Sequence, residues 1–164
     1  MKYKASLDSL TKILSVLVVF FLVRMFVYLW QFRENNGVLI PLLILIPIFI
    51  VVYLYSPQYY LLDDSNLKIV RIARNKTIKL SDITEIKRVE KKELGFGIRT
   101  FGSGGFLGYY GKFTYDKIGK VTLYATQRKN MVLIDTKDGK KIIITPDDTG
   151  LVELVKEKIT KLPK

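Results

Sequence analysis

Two long apolar runs near the N-terminus constrain the fold of this chain more than any other feature. The first, residues 13–32, reads ILSVLVVFFLVRMFVYLWQF and contains Arg24 as its only charge. The second, residues 38–55, reads VLIPLLILIPIFIVVYLY and contains no charge. An α-helix as long as the second run spans about 27 Å, close to the hydrocarbon thickness of a bilayer. The two runs therefore predict membrane-spanning helices over about 12–32 and 38–55.

The link between the runs predicts that the two helices are antiparallel neighbours. Residues 33–37, RENNG, form a turn-rich connection too short for any other arrangement. A small-residue cleavage site, which a signal peptide needs, does not follow the first run. A buried helix of a soluble protein is seldom apolar on every face over this length. We therefore expect residues 1–55 to form a transmembrane hairpin, with interfacial aromatic residues near its helix ends: Tyr28, Trp30, Tyr53 and Tyr55.

Lysine and arginine next to the runs predict the orientation of the hairpin. The flank before the first run carries Lys2, Lys4 and Lys12. Further basic residues follow the second run: Lys68, Arg71, Arg74, Lys76 and Lys79. Because positive residues stay on the cytoplasmic side, both termini and the C-terminal domain are expected there, in a multi-pass protein of the cytoplasmic (inner) membrane. The chain has no cysteine, so disulfides give no indication of an outside location.

Residues 56–164 have the pattern of a β-rich domain with an excess of positive charge. This part contains 22 lysines and arginines against 13 acidic residues. Short turn signals separate the apolar segments, and the strongest is Asp138-Gly139, which supplies the positive φ angles of a tight hairpin turn. Seven apolar segments of strand length recur, at residues 58–62, 67–73, 76–80, 83–89, 120–126, 131–136 and 141–145.

The apolar period changes near the C-terminus, where it predicts one amphipathic helix. Apolar residues recur there at helical spacing: Leu151, Leu154, Val155, Ile159 and Leu162. Thr145 as N-cap and Pro146 at the first helical position form a helix-start signature. A single apolar stripe indicates that this helix caps the open end of the β-structure.

Several stretches together resemble a bacterial pleckstrin-homology (PH) domain family that often follows transmembrane helices. They are KTIKLSDITEIKRVE at 76–90, GFLGYYGKFTYDKIGKVTLYATQRKNMVLIDTKDGKKIIITPDD at 105–148, and the closing helix. With the preceding strands they cover most of residues 58–162. The resemblance implies an all-β domain with a C-terminal helix: a PH-like antiparallel β-barrel or sandwich of about seven strands, capped by one α-helix, at residues 56–164.

A glycine-rich and aromatic stretch, residues 95–113, contains seven of the eleven glycines. It is not a Walker phosphate loop, because Gly111-Lys112 is followed by Phe113. It is not a dinucleotide fingerprint either, because Leu107 stands at the third glycine position counted from Gly102. We expect a long inter-strand connection folded onto the barrel, the alternative being a loop that binds a ligand or touches the membrane.

The composition disfavours catalysis. The chain has neither histidine nor cysteine, so the usual general base, thiol nucleophile and soft metal ligands are missing. The carboxylate pairs at 63–64 and 147–148 stand at a turn and a helix start, where acidic residues are common for local reasons. We expect no enzymatic activity, no cofactor and no metal site.

A basic group is the candidate site, and its members are Lys87, Arg88, Lys91, Lys92 and Arg99. On a strand, Lys87 and Lys91 would share one face and Arg88 and Lys92 the other. The group is either an ordinary solvated strand or a surface that attracts anionic lipid headgroups, at about 1 kcal/mol per Lys or Arg held near a membrane. No nucleic-acid-binding pattern is present, so nucleic acid is not expected.

The PH resemblance implies recognition of lipid or protein, but the first hairpin turn, residues 63–66, reads DDSN and is acidic. Phosphoinositide binding is therefore not transferred to this chain. We expect a membrane-anchored, non-catalytic interaction or scaffold module with a cytosolic PH-like domain and a protein partner. The alternative is a domain that reads anionic lipid and orients on its own membrane.

Overall fold

A computed structural model describes residues 1–31 and 40–161, apart from the side chains at positions 41 and 42. It contains four α-helices and ten β-strands within those ranges. The predicted turn at residues 33–37, the ends of the predicted apolar helices that adjoin it, and Leu162 lie outside the described residues.

The two apolar runs form helices α1 (Ser9–Gln31) and α2 (Ile40–Tyr55). α1 begins earlier than expected because Asp8 caps it, its Oδ1 accepting a hydrogen bond from the Thr11 N–H at 2.8 Å. Within the described ranges, α1 is the helix that has the length and apolar composition of a membrane span, criteria that a core helix or a signal sequence can also meet. The two helices share an apolar crevice that includes Phe26 and Phe49.

A four-stranded antiparallel sheet contains a strand that comes before the helices. Its strands are β1 (Lys2–Lys4), β2 (Pro57–Leu62), β3 (Asn66–Arg71) and β4 (Lys76–Lys79), in that order. In β1, Tyr3 faces Tyr60 of β2. The segments before α1 and after α2 are therefore hydrogen-bonded neighbours, although the sequence grouped residues 2–4 with the helical part.

A six-stranded sheet forms the rest of the β-structure, with a short helix α3 (Lys91–Leu94) beside it. The order across the sheet is β5-β9-β10-β8-β7-β6. All seven predicted strand segments form strands. The six strands of this sheet are β5 (Ile83–Val89), β6 (Gly97–Gly104), β7 (Tyr109–Tyr115), β8 (Gly119–Ala125), β9 (Met131–Thr136) and β10 (Lys141–Ile144).

One strand pairing departs from the expected all-antiparallel arrangement. β10 lies parallel to β8, with Ile143 facing Leu123. The reason is that β9 pairs with β5 and β10 rather than with β8. The connection at 126–130 therefore crosses two strand spacings, about 10 Å, which a two-residue hairpin turn cannot do.

The expectation of a long inter-strand connection at residues 95–113 is wrong. The segment forms β6 and most of β7, an antiparallel hairpin with a tight turn at residues 105–108. Gly102 and Gly111 face each other across this hairpin, both with positive φ. These glycines interrupt the apolar alternation by which a strand is recognised, so the sequence did not show the strands.

The main core lies between the two sheets and is closed by α4 (Leu151–Lys161). The expected all-β domain with a C-terminal helix is therefore confirmed, but the predicted helix start is wrong. Thr145 is buried and bonds the sheet instead: its Oγ1 accepts from the Thr126 N–H at 2.9 Å, and its own N–H donates to the Tyr60 hydroxyl at 3.1 Å. These bonds hold Thr145 in the core, and α4 starts six residues later.

The six-stranded sheet also buries apolar side chains on its other face. This second cluster includes Phe113, Leu123 and Ile143, and Leu94 of α3 packs into it, fully buried. A sheet with one face against the main core usually presents a polar second face to water. The second face of this sheet is instead apolar and is already covered within the domain, in part by Leu94 of α3.

Candidate functional site

The turn between β6 and β7, residues 105–108, lies against both apolar helices, and we call it the clasp. The Leu107 N–H donates to Ser15 Oγ of α1 at 3.0 Å. The Phe106 ring meets the Phe49 ring of α2 edge-on, with centroids 5.1 Å apart. The Ser56 hydroxyl, just after α2, donates to the Leu107 carbonyl at 2.7 Å. The glycine-aromatic stretch therefore joins the β-domain to the helices.

Further hydrogen bonds connect the β-domain to residues at the end of α2 and the start of α1. The Tyr110 hydroxyl donates to the Val52 carbonyl of α2. The Ala73 N–H, after β3, donates to the Leu54 carbonyl at 3.0 Å. At the start of α1, the Arg128 N–H donates to Asp8 Oδ2 at 3.1 Å. Contacts from three separate loops fix the domain relative to the helices.

Three of the five predicted site residues are paired with acidic side chains. Lys87 meets Glu85 at 2.9 Å, Arg88 meets Glu153 of α4 at 2.9 Å, and Lys92 meets Glu90 at 2.8 Å. The hydrogen bond that Lys87 donates to Glu85 raises the pKa of Lys87, and the one that Lys92 donates to Glu90 raises the pKa of Lys92. These exposed pairs reduce the positive potential that the three side chains would offer to an anion.

The predicted strand alternation of the basic group is wrong. β5 ends at Val89, and Lys91 and Lys92 lie in α3 instead. Lys91 of α3 and Arg99 of β6 both contribute to the lining of one cavity beside the second apolar cluster. The structure therefore separates the predicted group into two sets. Lys91 and Arg99 line a groove, whereas Lys87, Arg88 and Lys92 lie outside it.

That groove opens on the apolar second face of the six-stranded sheet and has a cavity volume of about 470 Å³. Its floor is apolar and aromatic, formed by Tyr109, Phe113, Leu123, Ala125 and Ile143. Its basic residues are Lys91, Arg99 and Arg128, and no carboxylate lines it among the described residues. We call it the outer groove. Its size is in the range of sites for small molecules.

Arg128 is the basic residue of the outer groove that the sequence did not single out. Its guanidinium carbon lies 5.0 Å from the centroid of the Tyr109 ring, a cation–π contact. Arg128 follows β8 in an exposed connection. Nothing in the sequence distinguishes it from the other basic residues of this basic chain. Arg99 of β6 also lines the groove. Its guanidinium lies beside Gly104, because a Cβ added at Gly104 would be 2.9 Å from Arg99 Nη1.

Tyr109 lines the outer groove and has a buried hydroxyl. Tyr109 is 8% exposed, and its hydroxyl has no hydrogen-bond partner among the described residues. Buried hydroxyls normally have a partner, because leaving one without a partner costs about 1–3 kcal/mol. The groove therefore combines an apolar floor with three cations, and one of its lining tyrosines has a buried hydroxyl without a partner among the described residues.

The carboxylate pairs have structural roles: Asp63 acts within its own turn, as the sequence indicated, whereas Asp147 bonds a residue far away in the chain. Asp63 Oδ1 accepts hydrogen bonds from the N–H groups of Ser65 and Asn66, which closes the β2–β3 turn. The hydrogen bond from Lys68 lowers the pKa of Asp63 to about 2. Asp147 accepts from the N–H and hydroxyl of Ser6, which ties the segment before α1 to the segment before α4.

Comparison with known families agrees with this architecture. The family model described as Bacterial PH domain matches residues 58–159. No curated protein and no solved structure matches the chain. The matched residues run from β2 into α4 and make up more than half of the chain. The chain therefore belongs to the bacterial PH domain family.

Proposed function

We propose that this protein is a membrane-anchored, non-catalytic interaction module, in which a hairpin of α1 and α2 holds a cytosolic PH domain in a fixed position on the inner membrane. The clasp carries this proposal, because it contacts both helices. A domain that only needed tethering to a membrane would be served by a flexible linker. Contacts that fix its position are useful where one surface must be presented to a partner in a set direction.

The pairing of β1 with β2 supports two membrane crossings rather than one. β1 precedes α1 and β2 follows α2, yet the two strands are hydrogen-bonded neighbours in one sheet. If α1 crosses the bilayer, the chain must cross back before β2, and α2 is the apolar helix that precedes β2. The side chains of α1 also suit lipid, since large apolar residues such as Val16 and Phe20 are 68% and 64% exposed.

Labelling of single cysteines tests the anchoring. The chain has no cysteine, so Asn36→Cys in the predicted loop and Lys129→Cys in the β-domain are unique targets. On intact cells, an impermeant maleimide is expected to label position 36 and not 129, and to label both after lysis. Labelling of 129 on intact cells would reverse the orientation, and protection of both positions would contradict the membrane hairpin.

The surface that best suits a protein partner is β6. This strand is one of the two edge strands of the six-stranded sheet, the other being β5. Its large apolar residues are unusually open, with Ile98 59% and Phe101 75% exposed. An open apolar edge strand is a template to which another chain can add a strand. The clasp at the end of β6 would hold that edge at a constant distance from the membrane.

A photoreactive phenylalanine analogue tests whether β6 is the docking edge. Placed at Phe101 in native membranes, it is expected to give one discrete protein adduct, and Ile98→Asp is expected to reduce that adduct at least fivefold. The same analogue at Lys120, an exposed position on β8, serves as the control. Equal adducts from both positions would contradict docking at β6.

A further inference from the structure

We propose that the clasp enters the lipid bilayer beside α1 and α2, with the side chains of Phe106 and Leu107 among the acyl chains. Besides attaching the β-domain to the helices, the clasp is then a third membrane-embedded part of the chain, formed by the turn of a β-hairpin. The inference rests on the proposed anchoring, because the bilayer is the one that α1 and α2 span. The surface it contacts is hydrocarbon and not a particular headgroup.

The clasp contacts both helices inside their apolar runs. Leu107 bonds Ser15, six residues after the first residue of α1. Phe106 packs on Phe49, six residues before the last residue of α2. At a rise of about 1.5 Å per residue, each contact lies about 9 Å along its helix from the helix end. That distance matches the depth of about 5–10 Å at which interfacial elements bury apolar side chains in a bilayer.

The hairpin lacks charge where it lies beside the helices. Residues 100–111, TFGSGGFLGYYG, contain no charged side chain, although 26% of the chain is charged. The neighbouring parts of the helices, residues 13–23 and 40–55, are also without charge. The nearest charges along the hairpin are Arg99 of β6 and Lys112 of β7, on the side away from the clasp. Because a charged side chain in hydrocarbon is costly, this distribution suits immersion of the clasp.

Three polar backbone groups of the clasp are bonded to serine hydroxyls. The Leu107 N–H donates to Ser15 of α1, and the Leu107 carbonyl accepts from Ser56, the residue after α2. The Phe106 carbonyl accepts a hydrogen bond from the Ser103 hydroxyl of β6 at 2.6 Å. A turn in water can leave such groups to the solvent, whereas lipid offers no hydrogen bond. The clasp therefore has the internal hydrogen bonding that a membrane-embedded turn needs.

The side chains of α1 are arranged for an apolar surrounding at the level of the clasp. The two buried residues of α1 are polar, Thr11 and Ser15. Apolar residues of the same turns lie open instead, with Ile13 58% and Val16 68% exposed. A helix in water buries its apolar side chains, whereas a helix in lipid presents them outward. Since Leu107 bonds Ser15, the clasp shields a polar group of α1 from the acyl chains.

The backbone of Leu107 is an independent indication that the clasp requires an apolar side chain. Its φ is +55°, in the left-handed region that glycine and asparagine favour. Turns in water usually place one of those residues at such a position. Leu107 is half-buried, so part of its side chain extends beyond the protein. Contact with acyl chains accounts for a leucine in a conformation that disfavours it.

Fluorescence quenching by brominated lipid tests the proposal in the full chain. The protein is reconstituted in vesicles of phosphatidylcholine, a neutral lipid, with bromine atoms on the upper part of one acyl chain. Because Trp30 is the only tryptophan, Trp30→Phe gives a background in which Phe106→Trp reports on the clasp. Phe96→Trp is the matched control, since Phe96 is 73% exposed and precedes β6 at the end of the hairpin away from the clasp. We expect at least threefold more quenching at position 106 than at position 96.

Quenching of Trp30 in the unmodified protein tests the anchoring separately, because α1 should carry this residue into the bilayer. If Trp30 is quenched and position 106 is not, the clasp lies outside the lipid, and the inference is overturned while the anchoring stands. Equal quenching at positions 106 and 96 would overturn it as well, because the whole hairpin would then lie on the membrane surface. Absence of quenching at Trp30 would contradict the anchoring and the inference together.

Leu107→Asn tests the side chain itself. Asparagine tolerates the positive φ of this position, so the turn should keep its fold. A polar amide is unfavourable among acyl chains, so adding this change should lower the quenching at position 106 at least twofold. Leu107→Met, which keeps the side chain apolar and of similar volume, should leave the quenching unchanged. Equal quenching in the Asn and Met variants would show that Leu107 does not contact lipid and would overturn its assigned role.

Discussion

Replacing Gly111 with alanine is expected to destabilise the β-domain by about 2–5 kcal/mol, as the combined effect of overpacking and backbone strain. Gly111 has a φ of +120°, a conformation that L side chains rarely adopt. A Cβ at this position would lie 2.2 Å from the Phe101 carbonyl oxygen of the facing strand. The obstacle is backbone, so no side-chain rotation can remove the clash.

The measurement is thermal unfolding of the full chain in detergent micelles. The near-ultraviolet circular dichroism of the tyrosines monitors the loss of tertiary structure. For a domain of this size we expect the Tm to fall by about 8 °C or more. Gly119→Ala is the matched control. Gly119 also has positive φ, at +76°, but a Cβ there would meet nothing within 4 Å.

Gly119→Ala should lower the free energy of unfolding by only about 1–2 kcal/mol, because the strain of the positive φ is its only cost. The difference between the two variants isolates the close approach of β6 and β7. Equal losses of stability in both variants would show that the two strands are not in contact at Gly111, and would contradict the hairpin.

Strong local patterns made most of the domain predictable from sequence. The segment 131–145 contains an apolar run, an Asp-Gly turn and a second apolar run, and it forms the β9–β10 hairpin. The amphipathic stripe through Leu151 and Val155 likewise formed α4, with both residues fully buried. In these segments the local preference and the tertiary contacts favour the same structure.

Other parts of the fold depend on contacts between distant residues and could not be predicted. β1 is three residues long and forms only because β2 offers an edge 55 residues later in the chain. The start of α4 was misplaced because Thr145 and Pro146 have the composition of a helix start, while the Tyr60 hydroxyl and Thr126 N–H hold Thr145 in the core. Tertiary hydrogen bonds outweighed a local capping preference.

The candidate site was predictable only in part, for a similar reason. The local cluster of cations suggested Lys91 and Arg99, and both line the outer groove. Arg128 joins them because β8 lies beside β7 in the sheet, a pairing that the sequence around Arg128 does not indicate. The ion pair between Arg88 and Glu153 depends on the packing of α4 against β5. A basic residue shows whether it is free or paired only once the fold is known.

The clasp links the β-domain to the two apolar helices that we propose as the membrane anchor. The residues with the least regular sequence pattern, 105–108, connect the β-domain to α1 and α2. The glycines allow the β6–β7 hairpin to turn tightly there, and the aromatic ring of Phe106 reaches α2. The attachment of the domain to the helices therefore sets the position of the β6 edge and of the outer groove relative to α1 and α2.

Crosslinking between α2 and the clasp is expected to be nearly complete. The double variant Phe49→Cys with Phe106→Cys places thiols where two rings now lie with centroids 5.1 Å apart. The contacts of Leu107 with Ser15 and of Tyr110 with Val52 remain, so the clasp should stay closed. Since the chain has no other cysteine, a short membrane-permeant bismaleimide can join only these two positions within one molecule.

The control pair is Phe49→Cys with Lys140→Cys. Lys140 precedes β10, and Ile142 of that strand faces Thr122 of β8, so Lys140 lies beside the start of β8. The end of β8 is the end nearest α1, and Lys140 is about 15–20 Å from it along the strand. In native membranes, treated protein is digested and the joined peptides are quantified by mass spectrometry. We predict that most molecules join position 49 to position 106 and that almost none join 49 to 140. Failure of the 49–106 pair to crosslink, or equal yields for the two pairs, would contradict a domain fixed on the helices.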